Sequence, residues 1–301
     1  MSKVISAIIV NYNAGKLLRN CVDSLIYCGL EVEIIVIDNA SSDNSLDFLQ
    51  GLDSVKIVRN FSNVGFAKAC NQGIRLASAE NLFFVNPDCF FEPGTLGEIL
   101  IQLRANDKVG MAGGLLINTD GTEQAGGRRA VPTPWRSFVR AFGLIRFANR
   151  WPSLFFDFHL HKQPLPENNI EVEAISGACM LVKREAILDV GEWDEGYFLH
   201  CEDLDWCMRF RKNGWKILFV PKVKISHVLG ASSKSRPIFV EWHKHKGMMR
   251  FYLKFFRHQY PGILMGLVAV GVWLRFGMVA SHRIVKSIEN SVIKPGLAKL
   301  F

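Results

Sequence analysis

The sequence predicts an α/β protein built on a largely parallel sheet with helices on both faces, and three observations carry that prediction. Short apolar runs at residues 4–10, 34–37, 55–58 and 82–85 have the character of strands buried on two faces. Between them apolar residues recur at helical spacing, as Leu17, Leu18, Cys21 and Leu25 do ahead of Gly29. Alternating β and α units of this length imply parallel strands joined by helical crossovers. At 301 residues, 49% hydrophobic and 21% charged, the chain has room for one large domain or two small ones and is not a disordered polymer.

In sheets of this kind ligands sit beyond the carboxyl ends of the strands. The residues there are therefore candidates: Asn11, Tyr12 and Asn13 after the first run, residues 38–43 after the second, and Asn86, Pro87 and Asp88 after the fourth. Asp38 is followed by Asn, Ser and Asp, which form Asx turns and hold a tight loop. A carboxylate there can also accept from the imide N–H of uracil or thymine, whereas Asp43 reads as an ordinary turn residue. Gly65 opens a helix at residue 66, where a glycine lets an anion approach free N–H groups. Seven cysteines with no C-x-x-C pair give no zinc or disulfide framework, and they predict a reducing compartment. The opening residues lack the apolar region and cleavage site of a secretory signal.

A second region stands out chemically. Residues 191–209 read GEWDEGYFLHCEDLDWCMR, six carboxylates threaded with Trp193, Tyr197, Phe198 and Trp206 in a chain of formal charge +8. Apolar neighbours raise a carboxyl pKa and cations lower it, and clefts that do both hold general bases. The alternative for Glu202 and Asp205, less so for Asp203, is an acidic first turn that complements a helix dipole.

Together the runs VNYN, VIDNASSDNS, NVGFAKACNQGI, FFVNPDC, SGACMLVKR, WDEGYFLHCEDLDWCMR and SHVLGASS resemble the inverting GT-A glycosyltransferases of family 2, rhamnosyltransferase-like branch, over about residues 3–235. The resemblance implies a GT-A domain at 1–235, with a nucleotide-sugar half at 1–118 and an acceptor half at 119–235. It implies that Asp203 is the catalytic base and that Asn11, Asp38, Gly65, Asn71 and Asp88 line the donor site. For Asn71, a satisfied polar residue facing the sheet stays open. Gly177, Glu202 and Trp193 fall on the acceptor side. Asn86-Pro87-Asp88 stands where the family carries a metal-binding D-x-D, so Asp88 is the one charged ligand for Mg²⁺ or Mn²⁺. His227 matches a position that adds an imidazole, favouring Mn²⁺, though a lone histidine after a strand is otherwise a solvent or core residue.

Between residues 128 and 151 six arginines alternate with aromatic residues, a pattern that fits nucleic acid, anionic headgroups or a lipid-linked pyrophosphate, or simply a packed helix with a solvated basic face. The variable acceptor-side position of this insert in the family favours the lipid reading. Residues 236–301 form a tail. Met248, Phe251, Tyr252 and Phe255 share one helical stripe and Lys246, Arg250, Lys254 and Arg257 another, predicting a basic amphipathic helix over 239–257. Residues 262–274 then carry no polar side chain, and reaching the roughly 20 residues of a span requires including Arg275. A membrane-lying or re-entrant segment comes first, a single span second and a soluble docking helix third.

The expected activity is transfer of one sugar, L-rhamnose or another deoxyhexose, from a nucleoside diphosphate sugar to a glycan or lipid-linked acceptor in cell-surface polysaccharide synthesis. It would take place at the cytoplasmic face of an anionic membrane, without nucleic acid. No Q-x-x-R-W of processive synthases follows the acidic run. Two rivals stay open: hexose transfer to polyprenyl phosphate, and a non-enzymatic nucleic-acid or membrane-binding protein.

Overall fold

A computed structural model describes residues 3–52, 54–228 and 236–297, with 287–297 described by backbone alone. Residues 229–233 of the SHVLGASS run, the expected boundary at 235 and the last residues of the tail (298–301) lie outside the described residues. By its internal contacts the chain divides into a large unit, Met1–Phe198 with Glu202–Ser232, and a small one, Leu199–Cys201 with Ser233–Phe301.

The large unit carries strands β1 (Ile5–Asn11), β2 (Val32–Asp38), β3 (Val55–Arg59), β4 (Asn81–Val85), β5 (Cys89–Phe90), β6 (Val109–Ile117), β7 (Arg128–Arg129), β8 (Ile170–Glu171), β9 (Ala174–Ile175), β10 (Cys179–Lys183) and β11 (Lys216–His227). Its helices are α1 (Lys16–Ile26), α2 (Phe66–Leu76), α3 (Thr95–Arg104), α4 (Pro134–Ala141), α5 (Arg184–Val190) and α6 (Glu202–Lys212). The main sheet runs β3-β2-β1-β4-β10-β6-β11-β5, with β8 also on β11, and β7 pairs β9 separately. β1 to β4 are mutually parallel, and β6 and β11 are parallel to each other. β10 runs against both β4 and β6. The fold is the mixed, mostly parallel α/β sheet the sequence predicts.

Each apolar run became a strand because its side chains find cover on both faces: β1, β2 and β4 are buried along their whole length. Residues 55–58 depart from expectation. As β3 they form the sheet's edge, and only Val55 is buried. An edge strand needs cover on less of its surface.

The reversed direction of β10 brings distant parts of the chain to one edge of the sheet. Cys179 pairs with Val85, so residues 177 and 178 enter the sheet at the carboxyl end of β4, beside residues 86–88. The Ala178 carbonyl accepts from the Asn86 N–H (3.0 Å) and from the Cys89 thiol (3.3 Å), joining two stretches about ninety residues apart. β11 reaches the same edge: a register irregularity between Val220 and Lys224, beside Pro221, is followed by pairing of His227 with Cys89.

The small unit is a helical hairpin of α7 (Pro237–Phe256) and α8 (Gly262–Leu297). On α7 and its C-terminal cap Phe251, Tyr252 and Phe255 are buried while Lys246, Arg250, Lys254 and the cap residue Arg257 are exposed, as the two stripes predict. Trp242 packs on Trp273 and Phe276 of α8, and Glu241 pairs with Arg283 at 2.9 Å. α8 is continuous from Gly262, so the apolar segment is a helix with no re-entrant break. Its stretch Gly262–Lys286 is long and apolar enough to cross a membrane and is mostly unburied.

Candidate active site

Asp203 opens α6 and meets two other stretches of the large unit. Its Oδ2 accepts from Arg129 Nη2 and, at 3.3 Å, from the Gly177 N–H, while Oδ1 accepts from the Leu204 N–H at 2.8 Å. A carboxylate offers about four acceptor positions, so Oδ1 keeps one for an incoming hydroxyl. The side chain is partly exposed, at 14%. Gly177 permits this approach: a Cβ there would stand 3.3 Å from that of Asp203 and 3.8 Å from the Trp193 ring. Arg129 is delivered by β7, whose pairing with β9 sets Arg129 opposite Ala174.

Glu202 is its buried neighbour, and its Oε2 has no hydrogen-bond partner among the described residues. Burial first, and then the charge of Asp203, push the Glu202 carboxyl well above the usual range, against a smaller opposing pull from Arg129. One carboxyl is thus kept neutral beside one paired with a guanidinium.

The other four carboxylates of the run are structural. Asp205 is fully buried, accepting from Tyr197 Oη at 3.1 Å and Arg209 Nε at 2.7 Å. Arg209 then donates to the carbonyls of Val190, Gly191 and Glu192, pinning the loop before α6. Asp194 caps a turn through the Gly196 N–H, and Glu192 and Glu195 lie within ion-pair distance of Arg75.

Trp193 sits in an aromatic cluster, 4.1 Å from Trp206 and 5.3 Å from Phe84 between ring centroids. Expected on the acceptor side, it is almost wholly buried and presents no face for stacking on a sugar. Asn71 holds it: the amide donates to the Trp193 carbonyl (2.9 Å) and Glu195 (3.0 Å) and accepts from the Trp193 N–H (3.0 Å). The alternative of a satisfied polar residue therefore describes Asn71 better than direct nucleotide contact. Gly65 also has a different neighbour from the one expected. With φ of 89° it is approached by the Phe198 backbone, whose carbonyl accepts from the Phe66 N–H at 2.8 Å, and a Cβ would fall 2.8 Å from that oxygen. A protein carbonyl, where an anion was expected, occupies the first N–H of α2.

At the carboxyl end of β1 and β2, Asn11 and Asp38 face each other in register. Asn11 Nδ2 donates to Asp38 Oδ1 (2.8 Å), Ser41 Oγ (3.0 Å) and Ser45 Oγ (2.8 Å), and Asp38 Oδ2 accepts from the Ser41 N–H at 3.2 Å. The predicted tight loop is therefore present, with Asp38 at its base and nearly buried.

Asp88 and His227 come together across the β5–β11 pairing, Oδ1 to Nε2 at 3.1 Å. His227 is no solvent histidine. It is buried, and its Nδ1 lies 2.5 Å from Oε1 of buried Gln124, whose amide donates to the His227 carbonyl (3.2 Å) and to Asn118 (3.1 Å). Such a clamp leaves Nε2 as the outward ligand atom. Cys89 lies in the same cluster, but burial raises its thiol well above the ordinary value, and it donates to Ala178. One carboxylate and one oriented imidazole suit a divalent cation that draws its remaining ligands from a diphosphate.

Sequence reasoning missed two contributors. Gln124 carried no signal. Arg129 was one of the six arginines of the middle segment, most of which prove internal: Arg128 pairs with Glu123, Arg136 with Glu173 and Arg140 with Asp157. The Gly126-Gly127 step before Arg129 was the available hint of a turn, and Gly126 does take a φ of 89°.

The description "Glycosyl transferase family 2" matches residues 6–191. The N-acetylglucosaminyl-diphospho-decaprenol L-rhamnosyltransferase of Mycobacterium tuberculosis is 27% identical over 241 residues, 75% of this chain and 76% of that one. In fold the chain is similar to GalNAc-T7 crystallised with UDP, GalNAc and Mn²⁺ (TM-score 0.58, 20% identity, 83% of this chain), of which it spans about half, 47%. It is also similar to the mannosyltransferase PcManGT of Pyrobaculum calidifontis in complex with GDP-Man and Mn²⁺ (TM-score 0.57, 15% identity, 100% of this chain and 81% of that one).

Proposed function

The chain belongs to glycosyltransferase family 2, and from that premise we propose that it moves a single sugar, L-rhamnose or another deoxyhexose, from a nucleoside diphosphate donor to a hydroxyl of a glycan or lipid-linked acceptor, with inversion. The observation that carries this reading is Asp203, a carboxylate with one open acceptor position, held by Arg129 and the Gly177 N–H at the edge where β10 brings residues 177 and 178 beside Asp88. The name of the mycobacterial relative specifies a rhamnosyl group and a diphospho-decaprenol-linked acceptor, which supports the same substrate classes here.

In this reading residues 1–118 form the donor half, 119–235 the acceptor half and 236–301 a membrane-associating tail on the cytoplasmic side. Asp203 takes the proton of the acceptor hydroxyl as that oxygen attacks the anomeric carbon, and the diphosphate leaves from the opposite face. Asn11, Asp38 and Ser41 shape the loop that receives the base, and Asn71 positions Trp193 beneath Gly177. Asp88 and His227 would hold a Mg²⁺ or Mn²⁺ ion, which when bound neutralises the leaving diphosphate.

The test is transfer from thymidine, uridine and guanosine diphosphate sugars to a polyprenyl-diphosphate-linked sugar. Asp203→Asn should lower kcat by roughly two to four orders of magnitude with donor affinity unchanged. Turnover retained in Asp203→Asn would favour transfer to polyprenyl phosphate, an acceptor already ionised. Failure of the wild type to bind any sugar nucleotide would remove the proposal.

A further inference from the structure

The segment between β7 and β8 holds an aromatic surface that the transfer chemistry does not use. Trp135, Phe138 and Phe142 of α4 and its cap, with Phe147 and Trp151 just beyond, are all substantially exposed, from 38% at Phe147 to 65% at Phe142. They form one cluster: Trp135 stacks on Phe138 at 5.6 Å, Phe138 lies 4.5 Å from Phe142, and Phe155 touches Trp135, Phe147 and Trp151 at 5.7 to 6.5 Å. Contiguous exposed rings of this kind mark an interaction surface.

The charge around the patch identifies what covers it. Residues 130–156 contain four arginines and no aspartate or glutamate. Arg136 and Arg140 are neutralised by Glu173 and Asp157. Arg146 and Arg150 are exposed and lie over Phe147 (4.9 Å) and Trp151 (5.3 Å). Tryptophan and phenylalanine rimmed by arginine, with Glu173 and Asp157 already engaged by Arg136 and Arg140, is the chemistry of an anionic bilayer interface, where rings enter at headgroup level and guanidinium groups meet phosphates.

We propose that this face of the large unit lies in the headgroup layer of an anionic membrane. It does so separately from whatever the α7–α8 hairpin does. The chain runs directly from Arg129, which holds the catalytic carboxylate, through residues 130–133 into α4, so the surface would set the acceptor side of the site at the membrane. The inference rests on the patch, and it extends the reading of a lipid-linked acceptor.

All seven native cysteines are buried, so a cysteine introduced by Phe142→Cys can be labelled selectively with an environment-sensitive fluorophore in the full-length protein. Tyr27→Cys, at an exposed position elsewhere on the large unit, is the control. With phosphatidylglycerol-containing vesicles the label at position 142 should shift to the blue and the label at 27 should not. Arg146→Gln combined with Arg150→Gln should raise the lipid concentration for half-maximal shift about tenfold or more. Donor binding, measured without vesicles, reports the transferase reading separately and should be unchanged in these variants. A label at 142 that stays in water while the protein sediments with vesicles would overturn the proposal. So would a shift that follows protein concentration without lipid, which would assign the patch to contact between copies of the chain.

Discussion

At the scale of single residues, two buried groups carry testable consequences. Glu202 is raised by burial and by Asp203. Between the ordinary glutamate value and its own raised one, the folded chain keeps a proton that the unfolded chain has lost. Stability therefore falls as pH rises through that window and levels off above it. Glu202→Gln should flatten this slope and raise Tm at its alkaline end, read as Tm against pH; parallel curves for the two proteins would refute the assignment. Gln124 orients His227 from behind. Gln124→Ala should weaken Mn²⁺ binding to the nucleotide-bound protein by roughly 10- to 100-fold, and His227→Ala should weaken Mn²⁺ more than Mg²⁺, both read by calorimetry. Unchanged Mn²⁺ affinity in both variants would detach this cluster from the metal. Charged motifs drew the sequence reading to Asp203 and Asp88, which the structure sets beside Arg129 and His227. Where an amide could serve ligand or backbone equally, as at Asn71, the sequence left both readings open. Sequence cannot tell these apart, because the partner of Asn71 lies more than a hundred positions away.

At the scale of elements, α6 is fixed from inside by Asp205 and from its loop by Arg209. Arg209→Ala removes the partner of a fully buried carboxylate together with three bonds to loop carbonyls, and should cost about 3 kcal/mol in urea unfolding followed by tryptophan fluorescence. Arg75→Ala breaks only exposed pairs with Glu192 and Glu195 and should change stability by about 1 kcal/mol or less; equal losses would contradict this division of labour. Elements with periodic apolar residues were easily read, and β1, β2, β4 and α1 fall within two residues of expectation. The two-residue strands β5, β7, β8 and β9 were not. They have no periodicity of their own: β5 and β8 exist because β11 offers them a ladder, and β7 and β9 because each pairs with the other, yet β5 follows directly on Asp88 and β7 carries Arg129.

At the scale of the whole molecule, the least legible feature was the tail. At about 1.5 Å per residue, the 25 residues of Gly262–Lys286 would extend past the roughly 30 Å of a bilayer core, but Arg275 stands near their middle. A central arginine opposes spanning by about 2.5–3.5 kcal/mol on insertion scales. Membrane-bound wild type should accordingly be extracted by alkaline carbonate, and Arg275→Leu should resist extraction. Wild type that resists it would make α8 a span. The reversed strand β10 has a consequence of another kind, in the timing of synthesis. β4 is buried along its whole length and apolar from Leu82 to Val85, and one of its two neighbours, β10, begins at Cys179, over ninety residues after Val85. At roughly 5–20 residues per second a ribosome leaves that edge of β4 open for about five to twenty seconds. A nascent chain in this state presents an unpaired hydrophobic edge to its neighbours on the same message, so yield of soluble protein should depend on chaperone supply and translation rate more than on the stability of the finished fold.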